Sequence, residues 1–240
     1  MRLSLLTIYR DRPQHLASQL AWWQSQPDLA NCCEWLIIEA ALMPTIDPEQ
    51  LPERGIQHHF LPQLGVLHKT QALNFALDQA QGQYITPFDV DLIPLGDTLV
   101  KHLCLAEQSP QMLLAGYRLM APVSTVEPEN MATVITQGVI APEDQPSALY
   151  KHLLQGERFG TLPFFERQRL LDIDGWDETF IGWGAEDQDL IERYLGQDLY
   201  LCRSPHLVYL HLHHDPDPQW REPELTAANR AFYYQKQRIQ

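Results

Sequence analysis

The sequence predicts an α/β protein built on a central, mainly parallel sheet. Apolar, β-rich runs alternate with amphipathic helical stretches through the first 94 residues, which is the signature of parallel strands joined by crossover helices. The fourth such run ends in two carboxylates, Asp89 and Asp91, and ligands of open α/β sheets collect at the carboxyl ends of strands. At 240 residues the chain has the length for one substantial core.

Each element has a local reason. Leu3 to Ile8 is an apolar run and the first strand, and Tyr9-Arg10-Asp11-Arg12 turns away from its carboxyl end. Pro13 then opens a helix at the position proline favours, with Leu16, Leu20 and Trp23 at helical spacing. Trp35 to Ile38 is the second strand, Met43 to Gly55 a loop rich in Pro and Glu, and Ile56 to Leu61 a weaker third strand. Lys69 to Ala80 is a helix carrying Leu73, Leu77 and Ala80 on one side. Gln81-Gly82-Gln83 ends it, and Tyr84 to Phe88 forms the fourth strand, with Pro94 stopping further pairing.

Beyond Pro94 the pattern loosens. Leu99 to Glu107 reads as helix, Met112 to Leu119 as strand, and Ser147 to Leu154 as a short helix. Ala121 to Gln145, with three prolines and several acids, reads as a long mobile loop of the kind that serves as a lid. Leu207 to Leu212 is a further strand running into His211-Leu212-His213-His214, and Glu222 to Gln237 closes the chain as a helix with Leu225, Ala228 and Phe232 on one face.

Composition narrows the function. A formal charge of −14 argues against nucleic acid and anionic membrane surfaces as partners. It also means that a diphosphate ligand needs a metal between itself and the acids. Four cysteines without ligand spacing, two of them adjacent, fit a reducing compartment. Met1 to Tyr9 is too short for a signal peptide or a membrane span. The expectation is a cytoplasmic protein, at most peripheral to a membrane.

Two stretches carry the chemistry. In Phe88-Asp89-Val90-Asp91-Leu92-Ile93-Pro94 the paired acids suit a divalent cation carrying an anionic ligand, or else form an acidic turn that ends a strand. In Gly182-Trp183-Gly184-Ala185-Glu186-Asp187-Gln188-Asp189 a tight loop leads into a helix. At about 100° per residue Glu186, Asp189 and Arg193 share one face, the polar one, whereas Asp187 falls among Leu190, Ile191 and Tyr194 and faces a cleft or the core rather than open water. The alternative is that these acids only complement the helix dipole. Three histidines within four positions after an apolar strand fit metal ligation. His15, His58, His59, His102 and His152 lack such context and read as structural.

These two stretches resemble the Asp-Val-Asp segment and the Gly-Trp-Gly-Gly-Glu-Asp-Asp-Asp loop of β-1,4-galactosyltransferases. The layout from Leu6 to His214 is also similar to bacterial family 2 glycosyltransferases. The resemblance implies a single GT-A domain, Rossmann-like, with residues 1–94 binding the nucleotide and 95–240 building the acceptor side and the C-terminal helix. It implies donor binding by Tyr9, Arg10, Asp11, Arg12, Lys69 and Asp89. It places Trp183, Gly184, Glu186 and Gln188 on the acceptor, Asp187 as catalytic base, and a metal on Asp91, His211 and His214. Ala185 and Gln188 depart from the family's glycine and aspartate, Lys69 gives a point charge in place of an arginine fork, and His211 replaces a thioether.

The implied reaction is transfer of a hexosyl unit, such as galactose or N-acetylgalactosamine, from a UDP-sugar to a sugar hydroxyl in polysaccharide biosynthesis, using Mn²⁺ or alternatively Mg²⁺. A related retaining family shares the Trp-Gly-Gly-Glu part without the following aspartate, so Asp187 favours inversion. A metal-dependent hydrolase of nucleotide sugars or phosphoesters, and a catalytically silent binding module, are the competing readings.

Overall fold

Leu3–Tyr9 (β1) and Cys33–Ala41 (β2) are buried along their whole length, a burial that requires cover on both faces of a sheet. The computed structural model describes residues 1–155, 162–215 and 222–237, with side chains at 151–155 excepted; His152 therefore lies outside the described side chains. β1 and β2 pair in parallel from Leu3↔Cys33 to Tyr9↔Glu39. Pro13–Gln24 (α1) lies between them in sequence. Alternate residues supply the two layers: Leu3, Leu5 and Trp35 join one apolar cluster with Trp22 and Trp23 of α1, while Leu6, Ile8 and Leu36 join another.

Ile56–Pro62 (β3) adds in parallel to β2, Lys69–Gln79 (α2) buries Leu73, Ala76 and Leu77 in the second cluster, and Tyr84–Pro87 (β4) adds in parallel to β1. The strand order of this sheet is β3-β2-β1-β4-β8, where β8 is a two-residue antiparallel strand, Phe165–Glu166, at the edge.

The second half builds a second sheet that the sequence did not reveal. Leu92–Pro94 (β5), Met112–Met120 (β6), Val139–Ile140 (β7) and Tyr200–His211 (β9) assemble in the order β5-β9-β6-β7. Pro94 therefore does not stop pairing. It sits at an edge, opposite Tyr209, where its missing N–H breaks no ladder. β6 and β9 run parallel with an irregularity at Ala115/Tyr117, where a Cβ on Gly116 would stand 2.7 Å from the Leu207 carbonyl oxygen. Thr98–Gln108 (α3) carries His102, which is fully buried, stacked on Phe164 and bonded to Tyr209 and Leu114.

Residues 121–145 are not the bare loop expected. They hold Met131–Gln137 (α4), β7 and a short 3₁₀ turn at Pro142–Asp144. Tertiary partners fix them: Ser18 bonds the Val126 amide, and Asp144, wholly buried, is paired by Arg118 and Arg203. Pro146–Gln155 (α5), Arg167–Asp172 (α6), Glu186–Leu195 (α7) and Pro223–Gln237 (α8) complete the helices. Among the described residues no helix is long and apolar enough to cross a membrane.

The face of α8 also differs from expectation. Ala228 is exposed and Leu225 and Phe232 only half-buried, while Thr226, Asn229 and Tyr233 are buried. The helix packs on a loop of carbonyls and acids as well as on the Phe180 ring, so its inner stripe includes the polar Thr226 and Asn229.

Candidate functional site

The crossing between the two sheets is the segment 88–91, and its backbone is held at every step. The Phe88 amide donates to Leu6 O at 2.8 Å, and Thr7 Oγ1 donates to Phe88 O at 2.6 Å. The Phe88 ring sits against Trp22 and Trp35 at 5.6 and 6.1 Å. Gln19, fully buried on α1, donates to Asp89 O and Leu92 O, both at 2.8 Å. The antiparallel pairing Leu92↔His211 then sets the end of β9 beside the acids, and the Leu212 amide donates to Asp91 O at 2.8 Å.

This register gathers Asp91, His211 and His214. Their ligand atoms lie within 4.8 Å of one another, with Asp91 buried. His211 Nε2 is 3.7 Å from Asp91 Oδ1, and His214 Nε2 is 3.3 Å from Oδ2. In both rings Nδ1 faces a backbone carbonyl, Leu212 O at 3.0 Å and Asp215 O at 3.1 Å, which assigns the hydrogen to Nδ1 and leaves Nε2 to face the carboxylate. Burial alone would raise the Asp91 carboxyl, but His211, His214 and Arg12 (Nη1 at 3.7 Å) outweigh it and hold it well below the carboxylate range. The Asp91 carboxylate, 3.3 Å from Nε2, in turn raises His214 by hydrogen-bonding its charged, doubly protonated form. Asp91 Oδ1 is buried with no hydrogen-bond partner. One carboxylate and two oriented imidazoles fit a transition-metal dication.

Beside this triad lies a cleft lined by Lys69, Asp89, Trp183, Asp187, Gln188 and His211, among others. Lys69 Nζ stands 3.6 Å from Glu186 and Asp187 and 3.9 Å from Asp89. Burial opposes its charge, but the carboxylates Asp187, Asp89 and Glu186 raise it further. Glu186 is buried and takes the Gly184 amide on Oε2 at 2.7 Å, while Oε1 faces Lys69 and has no hydrogen-bond partner among the described residues. Burial, then the neighbouring Asp187, pushes it up to about 7. Asp187 is 48% exposed and opens to the cleft. Two adjacent carboxyls thus sit in different surroundings, the arrangement that separates acid from base roles.

Tyr9, Arg10 and Asp11, expected on the donor side, do not line this cleft. Tyr9 is buried, and Arg10 bonds Ala40 O, Gly65 O and Gln63 Oε1, tying together the chain after β1, β2 and β3. Asp11 takes a left-handed backbone (φ 51°). Arg10 and Asp11 line a separate groove rimmed by the exposed Leu42, Met43 and Leu64.

One expectation is overturned. Asp189 is not on an exposed polar face: it is 2% exposed, paired with Arg193 at 2.8 Å and with Lys236 of α8. The C-terminal helix covers the face that sequence periodicity leaves to water. Ala185, at φ 65°, occupies the left-handed position that caps α7, which glycine adopts without strain.

The geometry has counterparts among known proteins. Residues 148–215 match the family model for the N-terminal domain of galactosyltransferase. The crystal structure of S. aureus TarS 1–349 in complex with UDP-GlcNAc superimposes with a TM-score of 0.65 at 15% identity, over 91% of this chain and 60% of that one. The chain has the GT-A fold. The crystal structure of GalNAc-T7 with UDP, GalNAc and Mn²⁺ likewise gives 0.65 at 12% identity, over 98% of this chain and 48% of that one. The chain thus spans about half to three-fifths of the length of these two GT-A proteins. No curated protein matches the sequence.

Within the GT-A fold, several cleft residues escaped the sequence reading. Arg118 on β6, Glu143 and Arg230 on α8 line the cleft, and Gln19 holds the acid turn from beneath. Arg118 and Glu143 lie in stretches read as a plain strand and a loop. Gln19 did carry a signal, a polar residue three positions after Leu16 and four before Trp23 on the apolar side of α1.

Proposed function

We propose that this chain is a metal-dependent, inverting glycosyltransferase that moves a hexosyl unit from a UDP-sugar to a sugar hydroxyl. The observation that carries the reading is the adjacency of two sites: the Asp91/His211/His214 triad and the Asp187-bearing cleft share His211 as a common wall. Residues 1–94 are the nucleotide side and 95–240 the acceptor side. The groove of Arg10 and Asp11, with its apolar rim, takes the nucleoside. Asp89 and Lys69 meet the donor, and Trp183, Gly184, Glu186 and Gln188 the acceptor.

A divalent cation on the triad, Mn²⁺ or alternatively Mg²⁺, supplies neutralisation of the charge developing on the leaving diphosphate. Lys69 adds a positive charge on the same side. Asp187 takes the acceptor proton as the hydroxyl attacks the anomeric carbon from the face opposite the diphosphate. Glu186, pushed up to about 7 and so protonated about half the time at neutral pH, orients the acceptor.

The test is a thermal-shift screen of UDP, GDP, CMP and dTDP sugars with Mn²⁺ and with EDTA, followed by product analysis with sugar acceptors. A ligand that binds only the folded state raises the transition by mass action. The reading expects UDP-sugars to stabilise with Mn²⁺ only. Equal stabilisation in EDTA would remove the metal, and sugar release to water at the same rate with and without acceptors would favour a hydrolase.

A further inference from the structure

The first half of α8 is bound to the loop that carries Trp183, and Tyr233 further on bonds Glu192 of α7. A Cβ on Gly182 would meet Leu225 at 3.9 Å, and one on Gly184 would meet Thr226 at 3.2 Å. One turn later Asn229, 6% exposed, donates its amide to Ile181 O at 2.8 Å and more weakly to Trp183 O at 3.4 Å. The guanidinium of Arg230 lies 5.8 Å from the Trp183 ring centre, within cation–π range. Lys236 closes the far end on Asp177 and Asp189. A buried asparagine in the middle of a helix is a poor choice for packing alone, because its amide must find partners. Here the partners are the two carbonyls that flank Gly182 and fix where Trp183 stands. Trp183 is 39% exposed and lines the cleft beside Asp187.

We infer that Asn229 is a positioning residue for acceptor recognition: it locks the backbone on both sides of Gly182 so that the Trp183 indole is presented, under Arg230, as the platform on which the acceptor sugar lies. This rests on the glycosyltransferase reading above. The donor side is reached through other elements, β1, β4 and α2, so the effect is confined to the acceptor.

Asn229→Asp tests it, because it keeps the shape while replacing the N–H donors by a carboxylate facing two carbonyls. The chain has six tryptophans, hence six indole N–H signals in a ¹⁵N NMR spectrum, and Trp183→Phe identifies the one that belongs to Trp183. In Asn229→Asp that signal should move or broaden while those of the buried Trp22, Trp23 and Trp35 stay. The Mn²⁺-dependent thermal shift by UDP should be unchanged, and KM for the sugar acceptor should rise about tenfold with kcat within about threefold, as expected for losing one good and one weak hydrogen bond. Asn229→Ala is read in the same way should the aspartate prevent folding. A lowered melting temperature with an unmoved Trp183 signal would make Asn229 a stabilising residue only and overturn the inference. If the wild-type protein shows no UDP response, the glycosyltransferase reading fails, while the indole signal still decides whether Asn229 places Trp183.

Discussion

Asp187 and Asp189 stand two residues apart on α7, and replacing each by asparagine separates chemistry from architecture. Asp187 is about half exposed, and among the described residues its ion pair is with Lys69 at 3.6 Å. Exposed pairs of this kind contribute under about 1 kcal/mol, so Asp187→Asn should fold normally and bind UDP with Mn²⁺ as the wild type does. Removing a positioned base costs about 10²–10⁴ in turnover, and that is the expected loss. Asp189 is buried and holds Arg193 and Lys236, both of which keep about a quarter of their side chains in water. Breaking a fully buried pair costs about 3–5 kcal/mol. The partial exposure of both cations lowers this to about 2 kcal/mol, or about 4–8 °C in melting temperature for a chain of this size. Asp189→Asn should therefore melt early yet retain most of its kcat below that temperature. Calorimetry with chromatographic product assays reads both effects. A stable, fully active Asp187→Asn beside a well-folded but inactive Asp189→Asn would refute the assignment of roles.

Two further outcomes follow from buried polar groups away from the cleft. His102 is pushed down to about 4 by burial, so the fold binds it neutral. Its contribution is complete above the unfolded value of 6.5 and drains away as pH falls from 6.5 towards 4, by about 3 kcal/mol in all. His102→Gln should flatten that part of the melting-temperature profile, and an unchanged acid slope would discount the residue. Gln19→Ala should orphan the Leu92 carbonyl and leave the Asp89 carbonyl only the Leu92 amide, at a cost of about 1–3 kcal/mol. It should also weaken Mn²⁺-dependent UDP binding, because Asp91 loses its backing. Titration calorimetry showing wild-type UDP affinity would separate Gln19 from the site.

Local signals carried the sequence reading as far as they reach. Continuous apolar runs specify doubly covered parallel strands, so β1 through β4 and the position of Asp89 and Asp91 at a strand end were legible without a structure. The histidines after β9 were legible for the same reason, since a strand that ends in polar residues delivers them to a sheet edge. Asp187, expected to face a cleft or the core because it falls among the apolar residues of its own helix, opens to the cleft with about half of its side chain exposed.

Tertiary structure decided everything that depended on a partner distant in sequence. Leu92–Pro94 is too short and too proline-bound to announce itself, yet its pairing with β9 is what brings His211 to Asp91. Periodicity assigned Asp189 to water, whereas α8, packed back from about 45 residues away, encloses it with Lys236. The most buried stripe of α8 carries Thr226 and Asn229 because it answers the carbonyls of a glycine-rich loop, so hydrophobic spacing, which gave the half-buried Leu225 and Phe232, found only the edge of the buried face. A buried polar group is stable only with its partner in place, and for Gln19, Asp189 and Asn229 each partner lies on another element. The apolar pattern along the chain fixes which segments become strands and helices; which polar residues those elements can bury is settled only when they meet.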